Sequence, residues 1–225
     1  MNIVCIIPAR GGSKGLPSKN IKNFADKPLL AWSVLQAKAS SKVNAGVYVS
    51  SDSADILRVA EHYGANTILR PDNLSTDTAS SEAALIHAMN TIIKEKKVDY
   101  VVFLQCTSPI RLANDVDDAI DTIIQDSSDS LLSVQALTDY FVWEKKGAVA
   151  NSHNFDYTNR QRRQDLPTRY LENGSIYIFK PEVLIKNRNR LGGKISLYPM
   201  EKIASQQIDD IADFEFCEAI MRGMN

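Results

Sequence analysis

Short apolar runs alternate with stretches of helical periodicity along most of the chain. Residues 3–7 and 101–104 form continuous apolar runs, which are typical of strands buried on both faces of a parallel sheet. Residues 46–50, 66–69 and 131–134 are predicted to form shorter strands. This alternation predicts an α/β fold of the Rossmann-like, three-layer kind, with a mostly parallel sheet and helices on both of its faces.

The segments between these strands carry apolar residues at helical spacing. A similar amphipathic pattern predicts a last helix close to the carboxyl end. The apolar positions are Leu30, Val34 and Ala37, then Ile56, Val59, Ala60 and Tyr63, then Ala79, Ala83, Ile86, Met89 and Ile93, then Val116, Ala119, Ile120 and Ile123, and finally Ile211, Phe214, Cys217 and Met221.

The periodic pattern breaks over about residues 139–172, which are polar, rich in arginine and aperiodic up to a strand predicted at 175–179. Irregular stretches of this length are uncommon inside a compact domain unless they are functional. We therefore expect a single domain over residues 1–225 with an arm at about 139–172 that covers a site. Because the arm is too polar to form a core, we expect it to pack across a second copy in a homodimer.

Composition narrows the classes of partner. The 225 residues are 44% hydrophobic and 24% charged, and 26 Lys and Arg against 27 Asp and Glu give a net charge of -1. The chain therefore has no general attraction for nucleic acid or for an anionic membrane, and any anion site must be local. The sequence has three scattered cysteines, and it shows neither a secretory signal pattern nor an apolar window of roughly 20 residues. We therefore expect a cytoplasmic protein that neither spans nor binds a membrane.

The loop after the first strand carries the clearest local chemistry. Arg10, Lys14 and Lys19 lie among three glycines, so backbone N–H groups and fixed cations can surround a polyanion such as a phosphate chain. The loop matches neither the Walker nor the dinucleotide-binding pattern, and a solvated basic turn is the alternative interpretation. Ligands of open α/β sheets bind at the carboxyl ends of the strands, so the loops after residues 7, 50, 69 and 104 should converge on one crevice.

Four ordered blocks of residues extend this signal along the chain. They are Ala9-Arg10 with Ser13-Lys14-Gly15-Leu16-Pro17 and Lys19-Asn20; Arg70-Pro71 with Leu74-Ser75 and Asp77-Thr78-Ala79-Ser80-Ser81; Leu104-Gln105 with Thr107-Ser108-Pro109 and Arg111; and Arg162-Arg163-Gln164-Asp165-Leu166-Pro167 with Asn173-Gly174-Ser175-Ile176-Tyr177. In order and spacing they resemble the signature of the acylneuraminate cytidylyltransferases, the enzymes that activate sialic acids. The resemblance spans nearly the whole chain.

The resemblance implies a reaction and a set of roles. The reaction is transfer of CMP from CTP to the anomeric hydroxyl of a nine-carbon 2-keto sugar acid, with release of pyrophosphate and a requirement for Mg²⁺. Fixed cations would stabilise the charge that builds up during attack at the α-phosphorus. The implied catalytic residues are Arg10, Lys14 and Asp209, the implied CTP-binding residues are Arg10, Gly11, Ser13, Lys14, Lys19, Asn20, Arg70 and Ser81, and the implied sugar-binding residues are Gln105, Arg163, Asn173 and Tyr177.

Two of these residues have plainer interpretations. Taken alone, Ser81 suits a helix cap, and Gln105 suits an amide that ties down a loop. For the metal, the family usually shows Asp-Ile-Asp before the last helix, and Asp209 matches the second aspartate. Gln207 stands where the first is expected. Asp210, a Gln207 oxygen or a water could fill that place, although a negative charge at a helix start explains Asp210 better than metal ligation.

The sequence departs from the family at two further places. Arg190 and Leu191 stand where some sialic acid enzymes carry aromatics that reach the partner's sugar site, so the substrate could be a relative such as legionaminic or pseudaminic acid. Cys106 replaces a common proline, and we interpret it as a packing change. Two alternatives stay open: a cytidylyltransferase for 3-deoxy-manno-octulosonate, and a CTP-binding module without catalysis.

Overall fold

A computed structural model describes residues 1–12, 15–76, 78–137 and 141–224, with only the backbone of Arg163. The strands are β1 (Ile3–Pro8), β2 (Asn23–Phe24), β3 (Lys27–Pro28), β4 (Val47–Ser51), β5 (Asn66–Leu69), β6 (Tyr100–Leu104), β7 (Ser130–Leu137), β8 (Trp143–Lys146), β9 (Val149–Ser152), β10 (Arg169–Phe179) and β11 (Ile195–Pro199). The α-helices are α1 (Leu29–Ala39), α2 (Ala54–His62), α3 (Ser81–Ile92), α4 (Asp115–Gln125), α5 (Pro181–Asn187) and α6 (Ile211–Met224).

Seven strands form the central sheet in the order β11-β7-β10-β6-β1-β4-β5. β1 pairs in parallel with β4 and β6, β4 with β5, and β7 with β11. β10 runs antiparallel to both of its neighbours, β6 and β7. The predicted α/β class with a mostly parallel sheet is therefore confirmed.

The alternation of side chains along β1 shows how the sheet divides the core into two layers. Ile3, Cys5 and Ile7 belong to one buried cluster, together with side chains of α1, α2, α4 and α6. Val4 and Ile6 point the other way and join a second cluster with α3 and α5. Successive residues of a strand face opposite sides, so a continuous apolar run is what a strand covered by helices on both faces requires.

The predicted strands and helices up to β7 are present, with shifts at their ends. In α3, however, Met89 alone of the predicted apolar positions is fully buried, and Ile93 is exposed. The buried face of α3 instead carries Leu85 and Ile92 with three smaller or flexible side chains. α3 packs on both β1 and α5, and this second contact turns the buried stripe away from the predicted one.

The arm differs from its predicted form. Within the described part of 139–172, β8 and β9 form an antiparallel hairpin, and Arg163–Asp165 form a single helical turn. β10 begins at Arg169, six residues before the predicted strand start at 175, so the last residues assigned to the arm belong to the central sheet. α5 and β11 were not predicted, because one is a two-turn helix and the other a short edge strand. Among the described helices, none is both long and apolar enough to cross a bilayer.

Candidate active site

One cavity of about 460 Å³ opens at the carboxyl ends of β1, β5 and β6, where the sequence predicted a crevice. It collects residues from four separate stretches of the chain. The loops after β1, β5 and β6 converge as predicted, whereas the fourth stretch carries Asp209 and the loop after β4 supplies no lining residue among those described. The described lining residues of the cavity are Pro8, Arg10, Gly15, Lys19, Asn20, Arg70, Leu74, Ser75, Thr76, Ala79, Ser80, Ser81, Ala84, Phe103, Gln105, Cys106, Thr107 and Asp209.

The loop after β1 supplies two cations and the amide that shapes it. Arg10 and Lys19 both line the cavity, and the Lys19 side chain is largely buried. Its Nζ donates a hydrogen bond to the Ile208 carbonyl at 2.7 Å, while Asn20 Nδ2 donates to the Arg10 carbonyl at 3.0 Å. Burial lowers the pKa of Lys19, and the nearby Asp209 carboxylate opposes that shift. These contacts hold the loop in place without consuming the whole ammonium group, which has three donors.

Gly15 lets this loop reach the last helix. A Cβ atom at Gly15 would lie 2.3 Å from the Asp209 carbonyl oxygen, a distance that no side chain can adopt. The sequence interpretation was that the glycines bring the backbone close to a ligand. For Gly15, the close approach is to the protein's own backbone, and it sets the loop beside Asp209.

Arg70 reaches the cavity from the end of β5 and is held by a residue that sequence reasoning missed. Arg70 is only 5% exposed, and its Nη2 lies 3.6 Å from Asp52 Oδ1. The same oxygen accepts a hydrogen bond from the Gly11 backbone N–H at 3.0 Å. Burial lowers the pKa of Arg70, Asp52 raises it, and the like charge of Arg10 lowers it further. Asp52 therefore links the first loop to Arg70, and the Gly11 N–H expected to face CTP is used inside the protein.

Asp52 follows β4 directly, at one of the strand ends where the sequence predicted the crevice. A carboxylate in that position was the available signal. It was passed over because it belongs to none of the four blocks that carry the resemblance.

Ser81 is the first residue of α3 and lines the cavity, whereas the helix cap is its neighbour. Ser80 Oγ accepts a hydrogen bond from the Ala83 N–H at 3.2 Å. Capping therefore does not explain Ser81. Its position agrees with the predicted contact to the nucleotide.

Asp209 is the one carboxylate among the described lining residues. Asp210 does not line the cavity but begins α6: its Oδ1 accepts from the Asp213 N–H at 3.0 Å. Asp213 Oδ2 accepts in return from the N–H groups of Asp209 and Asp210. This reciprocal arrangement is a helix cap, which agrees with the helix-start interpretation of Asp210.

Gln207 fills the place where the resemblance expects another carboxylate, and it has a structural partner. Its Nε2 donates to the Asn173 carbonyl, and a Cβ atom at Gly174 would lie 2.2 Å from that nitrogen. Gly174 also has a φ of +66°, which favours glycine. Among the described residues, no cluster of three or more acidic, histidine or cysteine side chains could hold a metal. One carboxylate with substrate oxygens is a set that suits Mg²⁺, so Asp209 is the described residue that fits this role.

The sugar-side residues are less available than the resemblance implies. Gln105 lines the cavity, but Asn173 is 4% exposed and does not. Asn173 Oδ1 accepts from Ser133 Oγ at 2.6 Å and from the Ser175 N–H at 3.2 Å, and its Nδ2 donates to Ser205 Oγ at 3.1 Å. The prediction that Asn173 lines the sugar site does not fit, because all of these groups already bind the protein.

Tyr177 lies in the second core rather than on the cavity surface. Its ring stacks on Phe103 at a centroid distance of 5.4 Å, and its hydroxyl hydrogen-bonds to the Glu172 carboxylate. Burial first, and then this bond, raises the pKa of Tyr177 above its ordinary value. Tyr177 therefore supports the cavity wall formed by Phe103 and was not found among the lining residues.

A buried arginine fastens the Gln105 end of the cavity. Arg111 Nη2 donates to the carbonyls of Gln105 and Ser175, both at 2.9 Å, and its Nη1 donates to Gln36 Oε1 at 2.8 Å. Burial lowers the pKa of Arg111 to about 10. Beside it, burial raises the pKa of Cys106 to about 12, so this thiol stays protonated and packs as expected.

The side chains of three predicted site residues, Ser13, Lys14 and Arg163, lie outside the described part of the chain. Ser13 and Lys14 lie outside the described residues, as does Asp77 of the second block. Arg163 lies in the helical turn of the arm, and its side chain is also outside the description.

Comparison with known proteins identifies the family. The family model for cytidylyltransferases matches residues 4–222, almost the whole chain. The chain belongs to the cytidylyltransferase family. This confirms the resemblance drawn from the four blocks and makes the protein a nucleotidyltransferase.

Over the aligned residues, several named relatives are about one-third identical to this cytidylyltransferase. It is 32% identical to a pseudaminic acid cytidylyltransferase of Campylobacter jejuni, with 99% of this chain and 97% of that protein aligned. It is 36% identical to an N-acylneuraminate cytidylyltransferase of Oncorhynchus mykiss, over 96% of this chain but 50% of that protein. It is 31% identical to post-translational flagellin modification protein B of Campylobacter coli, over 99% and 96% of the two chains. The chain thus spans about half the length of some relatives and nearly all of others.

Among solved structures, the cytidylyltransferase resembles CMP:2-keto-3-deoxy-manno-octonic acid synthetase complexed with CTP. The TM-score is 0.76 with 18% identity, and the match covers the whole of both chains. At this identity the likeness shows the fold alone.

Proposed function

We propose that this cytidylyltransferase transfers CMP from CTP to the anomeric hydroxyl of a nine-carbon 2-keto sugar acid of the sialic acid type and releases pyrophosphate. The observation that carries the proposal is one cavity with three cations, Arg10, Lys19 and Arg70, facing a single described carboxylate, Asp209. A pocket with this excess of positive charge suits a triphosphate. The sequence relatives named for N-acylneuraminate and pseudaminic acid support the choice of sugar acid.

The three cations would act on the reacting phosphates. As the sugar oxygen bonds to the α-phosphorus, the bond to the leaving pyrophosphate breaks, and negative charge grows on the phosphate oxygens. The Lys19 ammonium and the backbone of Arg10 are held in place before the substrate arrives, so these cations would stabilise that charge with little reorganisation. Arg70 and Ser81 line the same cavity and would bind the cytidine end. Lys14 is proposed to bind the triphosphate together with Arg10 and Lys19, and this proposal rests on the resemblance alone.

We also propose that Asp209 binds Mg²⁺. The ion would neutralise phosphate charge and orient the triphosphate when bound. The lining residues offer one carboxylate, so the remaining ligands would be phosphate oxygens and water. Asp209→Asn is expected to raise the Mg²⁺ concentration needed for half-maximal rate, with Asp210→Asn as the matched control. Equal Mg²⁺ dependence in the wild type and in Asp209→Asn would contradict the assignment.

A homodimer remains our proposal for the assembly, with the arm of each copy over the site of the other. The described part of the arm carries large exposed apolar side chains, namely Trp143 and Val149 on the hairpin and Tyr157 after it, and Tyr170 and Leu171 are exposed at the start of β10. Exposed patches of this kind favour a protein partner. Sedimentation at micromolar concentration tests the proposal, and a monomeric mass would contradict it. In that arrangement, Arg163 would reach the sugar acid from the partner copy.

A cytoplasmic location also remains a proposal. Its support is that Cys5, Cys106 and Cys217 are all free and buried, which suits a reducing compartment.

The reaction is tested by pyrophosphate release with CTP and Mg²⁺ against N-acetylneuraminic, legionaminic, pseudaminic and 3-deoxy-manno-octulosonic acids. We expect turnover of one of the first three. Preference for 3-deoxy-manno-octulosonic acid would establish the first alternative. Silence across the panel with CTP still bound, measured by calorimetry, would establish the second alternative, a module without catalysis.

A further inference from the structure

Arg190 stands where the family resemblance led us to expect an aromatic residue directed at a partner, and it is bound within its own chain. Its Nε lies 3.0 Å from Glu82 Oε1, and both side chains are only 19% exposed. Its guanidinium carbon lies 4.5 Å from the ring centroid of Tyr177 and 5.3 Å from that of Phe103. One cation therefore touches an acid on α3 and two stacked rings on the neighbouring strands β6 and β10.

The loop that carries Arg190 is fixed to the start of β7. Gly192 N–H donates to Ser130 Oγ at 3.0 Å, and that hydroxyl donates back to the Gly192 carbonyl at 2.8 Å. The Lys194 N–H donates to Asp129 Oδ2 at 2.9 Å. Leu191 packs against the second core cluster. These contacts fix the backbone of the loop and thereby position the Arg190 side chain.

Both partners of Arg190 adjoin residues that line the cavity. Glu82 directly follows Ser81, which we assign to the cytidine end. Phe103 lines the cavity itself and is two residues before Gln105. Side chains two residues apart on an extended chain share a face, so Phe103 is the wall next to the proposed sugar contact. We call Arg190, Glu82, Phe103 and Tyr177 the bracket.

Stability does not explain the bracket. Arg190 Nη1 is buried and has no hydrogen-bond partner among the described residues. A partly buried ion pair with an unsatisfied donor adds little to the free energy of folding. Replacing both members of such a pair by apolar residues is often neutral or stabilising. The arrangement does, however, keep the Phe103 and Tyr177 rings at a fixed position relative to the start of α3.

We propose that Arg190 is a specificity-determining, positioning residue for the sugar acid, because through Glu82 it sets the place of the Phe103 wall relative to Ser81. This inference rests on the proposed function. An aromatic wall beside Gln105 suits a sugar acid that bears an acylamino substituent: the amide binds Gln105, and the methyl group packs on the ring. Arg190 acts on the sugar acid and leaves CTP binding alone.

The test compares Arg190→Met, Arg190→Lys and Glu82→Gln with the wild type. Arg190→Met keeps an unbranched side chain but removes the guanidinium and its charge, and Glu82→Gln weakens the same ion pair from the other side. We expect kcat/KM for the preferred sugar acid to fall about tenfold to a hundredfold, the scale that a small misplacement costs. The KM and the Kd for CTP should stay near wild-type values, whereas Tm should fall in Arg190→Met and Glu82→Gln, because each of them leaves one partly buried partner of the ion pair uncompensated. Arg222→Met serves as the matched control. Arg222 is an exposed arginine of α6 that pairs with Glu218 on the same helix and with Asp26 between β2 and β3.

The outcomes separate the possible roles. Unchanged sugar kinetics in Arg190→Met and Glu82→Gln would overturn the inference. Equal losses for CTP and sugar acid would also overturn it, since they indicate a structural role alone. Turnover by the wild type must be shown first. A wild type that binds CTP but converts no sugar acid would remove the proposed function, and this inference with it.

Discussion

The two sides of the cavity are built differently. On the nucleotide side, Arg10, Lys19 and Arg70 line the cavity, and the protein groups that hold Lys19 and Arg70 leave their charges directed at it. On the sugar side, Asn173 and Tyr177 use their polar atoms on Ser133, Ser205 and Glu172. The described residues of one chain therefore supply three cations to the proposed nucleotide pocket, whereas on the proposed sugar side they supply mainly a supporting wall. This difference favours a sugar site finished by the arm of a second copy.

The largest expected effect concerns the nucleotide side. Lys19→Met should lower kcat/KM for CTP by about a hundredfold to a thousandfold, the scale of losing one fixed donor to a charged transition state. Lys22→Met is the matched control, because Lys22 is exposed and lies over the Phe214 ring outside the cavity. Steady-state pyrophosphate release measures both variants. If the two behaved alike, Lys19 would have no special place in the cavity.

A smaller effect is expected where the nucleotide side is held together. Asp52→Asn keeps an oxygen for the Gly11 N–H but removes the charge that faces Arg70. We expect the KM for CTP to rise about tenfold, or ~1.4 kcal/mol, with kcat less affected. Asp55→Asn, on the exposed start of α2, serves as the control, since Asp55 pairs with exposed Arg58. A larger fall in kcat than rise in KM would make Asp52 part of the chemistry and not of the positioning.

The sugar side is tested at Asn173. Asn173→Ala removes the oxygen that accepts from the Ser133 hydroxyl and the Ser175 N–H, so the free energy of unfolding should fall by about 1–3 kcal/mol. Urea unfolding measures this, with the exposed hairpin variant Asn151→Ala as the control. An unchanged stability together with a raised KM for the sugar acid would mean that Asn173 binds the substrate, and the two sides of the cavity would then be alike.

The smallest expected effect is a shift in the pH dependence of kcat/KM for CTP. Burial lowers the pKa of Lys19 from its ordinary value of 10.5, so the free enzyme loses this charge at a lower pH than an exposed lysine would. The alkaline fall of kcat/KM for CTP, which reports groups of the free enzyme, should therefore begin below 10.5, and in Lys19→Arg it should move upward. The effect of Lys19 on stability has the opposite pH dependence to its effect on activity. Because the folded state favours the neutral amine, the free energy of unfolding increases as pH rises through the lowered pKa. An alkaline limb that Lys19→Arg does not move would assign it to another group.

The sequence could predict much of this architecture because the signals for it are local. The apolar run of β1 predicts burial on both faces, and the basic loop after it predicts an anion site. What it could not predict depends on contacts between distant segments. Asp52 can link the first loop to Arg70 only because β4 ends beside that loop. Asn173 loses its predicted contact with the sugar because its amide oxygen accepts from the Ser133 hydroxyl on β7. Arg190 is a further case, since its position on Tyr177 depends on how the loop before β11 is tied to Ser130.

The hydrogen bond from Lys19 to Ile208 joins residues 189 positions apart in the chain. During synthesis, the carbonyl that fixes this lysine is therefore added 189 residues after the lysine itself. A chain terminated before Ile208 would lack both this hydrogen bond and the Asp209 carboxylate, although every other described lining residue of the cavity would already be present.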